Sequence, residues 1–365
     1  MEQERPTREP WLATPRGRAP TMQDIAEASG VSQSTVSRVL TSATTPVPIS
    51  PATRERVLEV ARQMRYRPNP LARGLKGAKT MLLGVIVREI TDPFFAGAID
   101  AISGEASKQG YNVVLGHAHG NTTEAIALRS VLETRHCDAI LLVGDTSDQP
   151  LLLNDLRETN IPVVGIWQGS AALAGITTVN VDNRSGMNAL IDHLVGLGHK
   201  RIAFIGGRFA GGRPLGDIWE RRIAFSDRLT ELGIETPEAY VREAQNNLGG
   251  GAGAFEALME LVRRPTAVVA STDVLALGAL HAACRLDLAV PGDVSVAGFD
   301  DLPMAEYANP PLTTIRQPIA EMAAVAVQSA TDESRDPTQT VVETLTPQLI
   351  VRASTGPVPV SVAQS

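Results

Sequence analysis

Residues able to bind a polar ligand gather where short apolar runs end. Asp92, Phe94 and Phe95 follow "MLLGVIV", Trp167 follows "PVVGI", and Asp300, with Asp301 beside it, follows "SVAGF". Carboxylates accept hydrogen bonds from ligand hydroxyls, and aromatic rings pack against the C–H faces of a sugar ring. The plain alternatives are core packing for the two phenylalanines, helix capping for the two aspartates and packing under a loop for Trp167. Catalysis is a poor fit. Neighbouring side chains at a strand end point to opposite faces, so Asp300 and Asp301 make a bad acid–base pair. The glycine runs "IGGRFAGG" and "NLGGGAGAFEAL" lack the Gly-Lys-Ser/Thr ending of a phosphate loop, and no G-x-S-x-G or Cys–His arrangement stands out. His117 and His119 form H-x-H without a further ligand at suitable spacing, so we expect no metal and no cofactor.

A second set of residues suits nucleic acid. In "TMQDIAEASGVSQSTVSRVL", Thr21 and Asp24 have capping-box spacing for a helix from Met22 to about Ala28, with Ile25, Ala26 and Ala28 apolar. Gly30 breaks the pattern, and Ser32 caps a second helix from Gln33 to Leu40 that buries Val36, Val39 and Leu40. This is a helix-turn-helix whose second helix would enter the major groove. Gln33 can read an adenine edge and Arg38 a guanine, while the hydroxyls of Thr21, Ser34, Thr35 and Ser37 can bond phosphates or bases. Ser50 and Pro51 open a third helix with Val57, Leu58, Val60, Ala61 and Met64 on its apolar face. A small helical domain with incidental polar faces is the bland alternative.

The elements that must position the ligand set follow from Met81 onward. Strand candidates "MLLGVIV", "NVVLGHA", "AILLVG", "PVVGIW", "RIAFIGG", "TAVVAS" and "VSVAGFD" alternate with helical stretches such as 95–109, 123–135, 186–197 and 220–232. Such alternation predicts parallel sheets flanked by helices, with a ligand outside the strand C-termini. Charge separates the two parts. Residues 1–80 carry 13 Lys and Arg against 7 Asp and Glu, whereas the rest carries 20 against 33, within a net charge of −7. A basic head on an acidic body predicts that only the head meets a polyanion. No apolar run is long enough for a membrane span, and the N-terminus has no secretory h-region. Cys137 and Cys284 are expected to be buried free thiols in a cytoplasmic protein.

The segment "RPNPLARGLK" resembles the hinge of the lac repressor family, the helices before it resemble that family's headpiece, and "VAGFDDLPMAEYANPPLTTIRQP" matches later in the same order. The similarity spans roughly residues 20 to 356. It implies an all-α helix-turn-helix headpiece (20–67), a hinge (68–80) and an α/β two-lobed, periplasmic-binding-protein-like effector domain (81–356), between a disordered arm (1–19) and a tail (357–365). Its lobes would be 81–180 with 316–344, and 181–315 with 345–356, crossed near Asn180–Val181, Thr314–Arg316 and Leu345. The resemblance implies that Asn69 to Lys76 orders as a helix on DNA, with Leu75 wedging into the minor groove beside Ala72. Pro68, Pro70, Gly74 and Gly77 make that helix marginal alone, so DNA contact must supply the ordering. By position, Arg221 matches the family's ligand-binding arginine, although Ala224 replaces a following glycine. Thr272 and Asp273 match an Asn-Asp pair, Asp300 matches the first acid of its "FDD" motif, Gln317 matches a polar cleft residue, and Trp167 stands where many relatives have aspartate. The loop before Ser50 is about three residues longer than the family's usual one. The implied function is a homodimeric, DNA-binding transcriptional repressor of carbohydrate genes. It would bind a double-stranded, near-palindromic operator with a central C–G step and respond to a small-molecule effector, a sugar. A transport-type sugar-binding protein would share the body but not residues 20–80.

Overall fold

A computed structural model describes residues 20–41, 48–66, 79–117, 137–146, 150–158, 161–169, 175–208, 216–332, 334 and 339–359. The arm 1–19, the hinge residues Asn69, Ala72 and Leu75, the helix expected over 123–135 and His119 lie outside the described residues. The chain divides into two compact units, residues 1–78 and 79–365.

In the first unit three helices, α1 (Met22–Ser29), α2 (Gln33–Thr41) and α3 (Pro51–Gln63), pack around Ile25, Ala26, Val36, Val39, Val57 and Ala61. Thr21 and Asp24 form a reciprocal capping box: the Asp24 N–H donates to Thr21 Oγ1 at 3.3 Å, and the Thr21 N–H donates to Asp24 Oδ2 at 2.7 Å. Gly30 adopts φ +62°, the left-handed conformation that ends α1 and sets the tight turn. Ser50 caps α3 through the Thr53 N–H at 3.2 Å, with Pro51 in the first turn. The face of α3 is narrower than its sequence suggests, because Leu58 is 40% exposed. In α1 the buried third position is Ser29 rather than Ala28. Its hydroxyl is satisfied within the helix by donating to the Ile25 carbonyl at 2.5 Å.

The second unit holds two lobes. The first contains β1 (Leu82–Val87), α4 (Pro93–Lys108), β2 (Asn112–His117), β3 (Ala139–Val143), α5 (Pro150–Glu158), β4 (Val163–Ile166) and β5 (Thr177–Val181). The second contains α6 (Asn183–Gly196), β6 (Ile202–Arg208), α7 (Gly216–Glu231), β7 (Val241–Gln245), α8 (Leu248–Met259), β8 (Ala267–Ala270), α9 (Asp273–Arg285), β9 (Ser295–Ala297) and α10 (Pro303–Glu306). The chain then runs through β10 (Thr314–Arg316), α11 (Ile319–Thr331), β11 (Val342–Leu345) and β12 (Gln348–Ile350). Helices α4, α6 and α7 begin two to four residues before the stretches expected from their apolar periodicity. For α4 and α6 the extra turn is held by the capping carboxylates Asp92 and Asp182.

The first sheet has the parallel order β11-β5-β4-β3-β1-β2, and the second the order β7-β6-β8-β9. Alternate residues of the central strands bury opposite faces. Val85 and Val87 join Phe94, Ala98 and Met322 on one side of the first sheet, while Ile86, Ile140 and Leu142 join Leu152, Leu153 and Leu156 on the other. The second sheet packs Ile205, Val268 and Phe255 on one face and Phe204, Val269 and Phe225 on the other. Helices α8 and α9 approach so closely that a Cβ on Gly278 would stand 2.1 Å from the Leu248 carbonyl oxygen. The lobes are joined after β5, through β10, and after β11. Strand β11 pairs with β5 in the first sheet, and β12 pairs antiparallel with β10. Asp301 clips the junction by binding Arg316 at 2.6 Å and Arg352 at 2.8 Å.

Of the two cysteines, Cys137 is buried but Cys284 is exposed on α9, because the packing face of that helix is taken by Ala279, Leu280, Ala282 and Ala283. Among the described residues no helix is long and apolar enough to cross a membrane, and no three His, Cys, Asp or Glu side chains gather as a metal site.

Candidate effector cleft and nucleic-acid interface

In the first unit Gln33 and Ser34 are exposed on the first turn of α2, and Thr35, Ser37 and Arg38 are partly exposed along the same helix. Val36 and Val39 are buried and fix the helix's rotation. Thr21 is different. Its hydroxyl lies 2.7 Å from Asp24 Oδ2, so its side chain holds the start of α1.

The second unit carries a small cavity of about 40 Å³ where strand C-termini of both lobes face each other. Sheet order explains the place. Strand order reverses between β1 and β3 in one lobe and between β6 and β8 in the other, and at such switch points the following loops diverge and leave a crevice. Asp92 follows β1, Gly144 and Asp145 follow β3, Trp167 follows β4, Thr272 follows β8 and Asp300 follows β9; together with Phe94, Phe95, Asp217, Ile218 and Arg221 they line the cavity.

Arg221, on α7, is almost wholly buried. Its Nε donates to Asn183 Oδ1 at 2.9 Å, and its Nη1 to the Ser271 carbonyl at 2.7 Å and to Asp300 Oδ1 at 3.3 Å. The guanidinium lies 3.8 Å from the centre of the Phe299 ring, which holds its plane. Gln317 lies behind the cavity wall rather than in it. It donates to Asp300 Oδ1 at 2.7 Å and accepts from Trp167 Nε1 at 2.9 Å. Trp167 has φ +56° and Asp300 φ +124°, conformations that turn both side chains inward from their strand ends. Trp167 meets Phe94 edge to face at 5.1 Å, and Phe94 meets Phe95 at 5.4 Å. Gly144, at φ +88°, leaves the room that Phe95 needs, since a Cβ there would fall 2.9 Å from the ring.

The lobes touch through polar groups across this cleft. Asp92 caps α4 through the Phe94 N–H at 3.0 Å and accepts from Asn246 Nδ2 of the other lobe at 2.8 Å. Thr272 donates to Asn246 Oδ1 at 2.7 Å. Asp145 Oδ2 accepts the Gly216 N–H of the other lobe at 2.7 Å, and within the second lobe Asn183 Nδ2 donates to Asp217 Oδ1 at 2.9 Å. Burial raises Asp92 and lifts Asp300 well above the usual carboxylate range, against the pull of Arg221. Burial pushes Asp217 up to about 6, opposed by Arg221 and the Asn183 hydrogen bond.

Asp273 does not face the cavity. It begins α9, and its carboxylate turns under the β9–α10 loop, accepting the Leu302 N–H at 2.7 Å and the Thr314 hydroxyl at 2.5 Å. Those bonds join α9 to the crossing strand β10, and burial raises Asp273 to about 7. The sequence reading missed Asp145, Asp217, Ile218, Asn183 and Asn246. Asp145 directly follows the "AILLVG" run, so the rule that selected Asp92 would have found it.

Comparison with known proteins places this geometry among relatives. The profile described as bacterial regulatory proteins, lacI family, matches residues 21–69, and that of the periplasmic binding protein-like domain matches residues 191–355. The chain is 34% identical over 316 residues to the HTH-type transcriptional repressor CytR of Escherichia coli K12, covering 86% of this chain and 90% of that protein. It is 32% identical over 352 residues to the regulator CelR of Thermobifida fusca, covering 93% and 99%. Among solved structures, the lac repressor dimer bound to operator and the anti-inducer ONPF aligns with TM-score 0.81 at 27% identity, covering 93% of this chain and all of that one. The complex of CelR with cellobiose aligns with TM-score 0.66 at 29% identity, covering 92% and 99%.

Proposed function

The chain belongs to the lacI family of bacterial regulatory proteins, and from that premise we propose how it divides its work. It is a DNA-binding transcriptional regulator with a small-molecule effector domain, and not an enzyme. In our reading it represses carbohydrate genes as a homodimer, setting two α2 helices into successive major-groove half-sites of a near-palindrome with a central C–G step. Gln33, Ser34, Thr35, Ser37 and Arg38 make the contacts there, Thr21 orients them through α1, and Asn69, Ala72 and Leu75 order in the minor groove between them.

A sugar would occupy the cleft between the lobes, with Asp92, Asp300 and Arg221 on its hydroxyls and Phe94, Phe95 and Trp167 on its C–H faces. Thr272 would act through Asn246, and Gln317 through Asp300. Asp273 would hold α9 against β10 rather than touch ligand. The observation that carries the reading is the convergence of strand ends from both lobes on one cavity walled by acids and aromatic rings. At about 40 Å³ the cavity holds only a few waters, so ligand entry requires the lobes to part, and Asp92 must exchange Asn246 for a ligand hydroxyl. Binding thereby biases the lobe arrangement, and with it the fraction of dimers able to dock both heads.

The test is enrichment of sequences bound by full-length protein from a random DNA library, with and without a panel of sugars. A near-palindrome whose recovery changes with one sugar supports the reading. Leu75→Ala should weaken operator binding and leave the ligand-induced thermal shift intact. Arg221→Ala with Asp300→Ala should abolish the sugar response and keep DNA binding, and a response that survived would refute the cleft.

A further inference from the structure

The charges around the cleft say more about its ligand than its shape does. Among the described residues four carboxylates from four elements line it, Asp92, Asp145, Asp217 and Asp300, against one lining cation, Arg221. Arg221 is already engaged by Asp300, Ser271 and Asn183. Arg88 stands nearby, with its Nη1 donating to the Asp145 carbonyl, and counting it still leaves more carboxylates than cations among the described residues. Among the described residues Asp92 and Asp217 are in no ion pair. Their contacts are neutral N–H groups: the Phe94 amide and Asn246 Nδ2 on Asp92, and Asn183 Nδ2 on Asp217. Asp145 Oδ2 likewise takes a backbone N–H, that of Gly216. The protein's own groups therefore show what three of these acids accept at 2.7–2.9 Å: an N–H donor. Nearby, Phe94 and Trp167 offer aromatic surface on which a ring, or a cation carried by one, can rest.

We propose that the effector is a hydroxylated ring bearing a basic amine, of the amino-sugar class, and that Asp217 selects its ammonium group, with Asp92 a second acid on the same cavity wall. The inference rests on the cleft reading above. An ammonium placed against Asp217 offsets charge that closure of the lobes would otherwise leave buried, whereas a neutral sugar leaves that charge in place. A phosphate or carboxylate on the same ring would be repelled by both acids. Burial is what raises Asp92 and Asp217, so a cation brought to either carboxylate offsets the cost of holding it charged out of water.

Matched triplets test this: the 2-amino, neutral and phosphorylated forms of glucose and of galactose, with the corresponding set on ribose. They are titrated into full-length protein while thermal stability and binding to the enriched DNA are followed. The amine members should act at about tenfold lower concentration than their neutral parents, and the phosphorylated members should be silent. Asp217→Asn, close in shape, should bring amine and neutral members to within about threefold of each other. Its melting temperature without ligand reports that it folds. A phosphorylated member as effective as its parent, an amine preference that survives Asp217→Asn, or silence across every triplet would each overturn the inference. The cleft itself is judged separately: it fails only if a ligand response persists in the Arg221→Ala, Asp300→Ala protein.

Discussion

Replacing Arg221 by methionine isolates the electrostatics of the cleft. Methionine keeps most of the aliphatic stem and can still lie on Phe299, but it removes the bonds to Asn183, Ser271 and Asp300 at once. The side chains of Arg221 and Asp300 are only 4% and 5% exposed, so the aspartate left behind cannot recover its charge partner from solvent. Breaking a buried pair on one side costs about 3–5 kcal/mol. In a unit of this size that corresponds to a fall in melting temperature of roughly 5–8 °C. Gln317 still donates to Asp300, and burial already favours the protonated acid, so the deficit should shrink as pH is lowered from 8 to 5.5. Adding Asp300→Asn should then restore a large part of the loss at pH 8. The amide oxygen still accepts from Gln317, no charge is stranded, and asparagine matches the shape of the aspartate that already adopts φ +124° here. A double-mutant cycle by thermal unfolding of the full chain measures this directly. Coupling of about 1.5 kcal/mol or more is expected. Losses that simply add, and that do not change with pH, would refute the argument that a stranded carboxylate dominates the cost.

Three further outcomes follow from the same geometry. Thr21→Ala removes the hydroxyl that accepts the Asp24 N–H and should lower headpiece stability by about 1 kcal/mol, read as faster amide exchange across α1 with weaker operator binding. Asp217 and Asp273 titrate near 6 and 7 in the folded chain, above the roughly 3.9 of an unfolded aspartate, so the folded state binds their protons more tightly. The stability of the second unit should therefore rise as pH falls from 8 toward 5, and Asp217→Asn, in its setting of Arg221, Asn183, Glu220 and Asp145, should flatten that profile and raise the melting temperature at pH 8. Cys284 should react with a thiol reagent in the native protein and Cys137 only on unfolding, because Cys284 is exposed while burial pushes the Cys137 thiol up to about 11.

The parts of the structure that could be read from sequence are those whose local physics has one solution. Gly30 between two capped amphipathic turns leaves little beside a helix-turn-helix, and runs such as "AILLV" are buried on both faces only in a parallel sheet. Strands β5 and β7 were not picked out because "TTVNV" and "VREAQ" carry polar residues that tertiary neighbours satisfy. Asn180, for example, accepts from the Gln168 N–H at 3.0 Å and donates to the Gly169 carbonyl at 3.0 Å. The strand-end rule found Asp92, Trp167 and Asp300. The family resemblance, which supplied Thr272 and Asp273, could not separate Thr272, whose hydroxyl binds Asn246, from Asp273, whose carboxylate turns inward to Leu302 and Thr314. Both begin the same helix, and the sorting depends on Gly298: a Cβ there would stand 2.2 Å from Asp273 Oδ1, so glycine leaves the space that lets the acid lie under the β9–α10 loop. Asp217 had no local signal, because its role comes from α7 being laid across the cleft from Asp145.

These contacts also explain how occupancy of a small cleft can move something larger. Asp300 sits within a continuous chain: Arg221 to Asp300, Asp300 to Gln317, Gln317 to Trp167. Gln317 is the residue after β10, and the acid next to Asp300, Asp301, holds Arg316 of β10 and Arg352 beyond β12. A ligand that draws on Asp300 therefore acts on two of the strand segments by which the lobes are joined, without needing to displace the hydrophobic cores. Coupling requires an element with two arrangements, and a clip made of charged groups, with Arg316 half-exposed, can exchange partners more readily than packed Phe204 or Leu141 can. Gln317→Leu tests the point. It should leave the fold and operator affinity near those of the parent chain, lower ligand affinity modestly by freeing Trp167 and Asp300, and reduce the ligand's effect on DNA binding by more than the loss of affinity explains. Full regulation at saturating ligand in that variant would show that the signal does not pass through the Asp300–Gln317 bond.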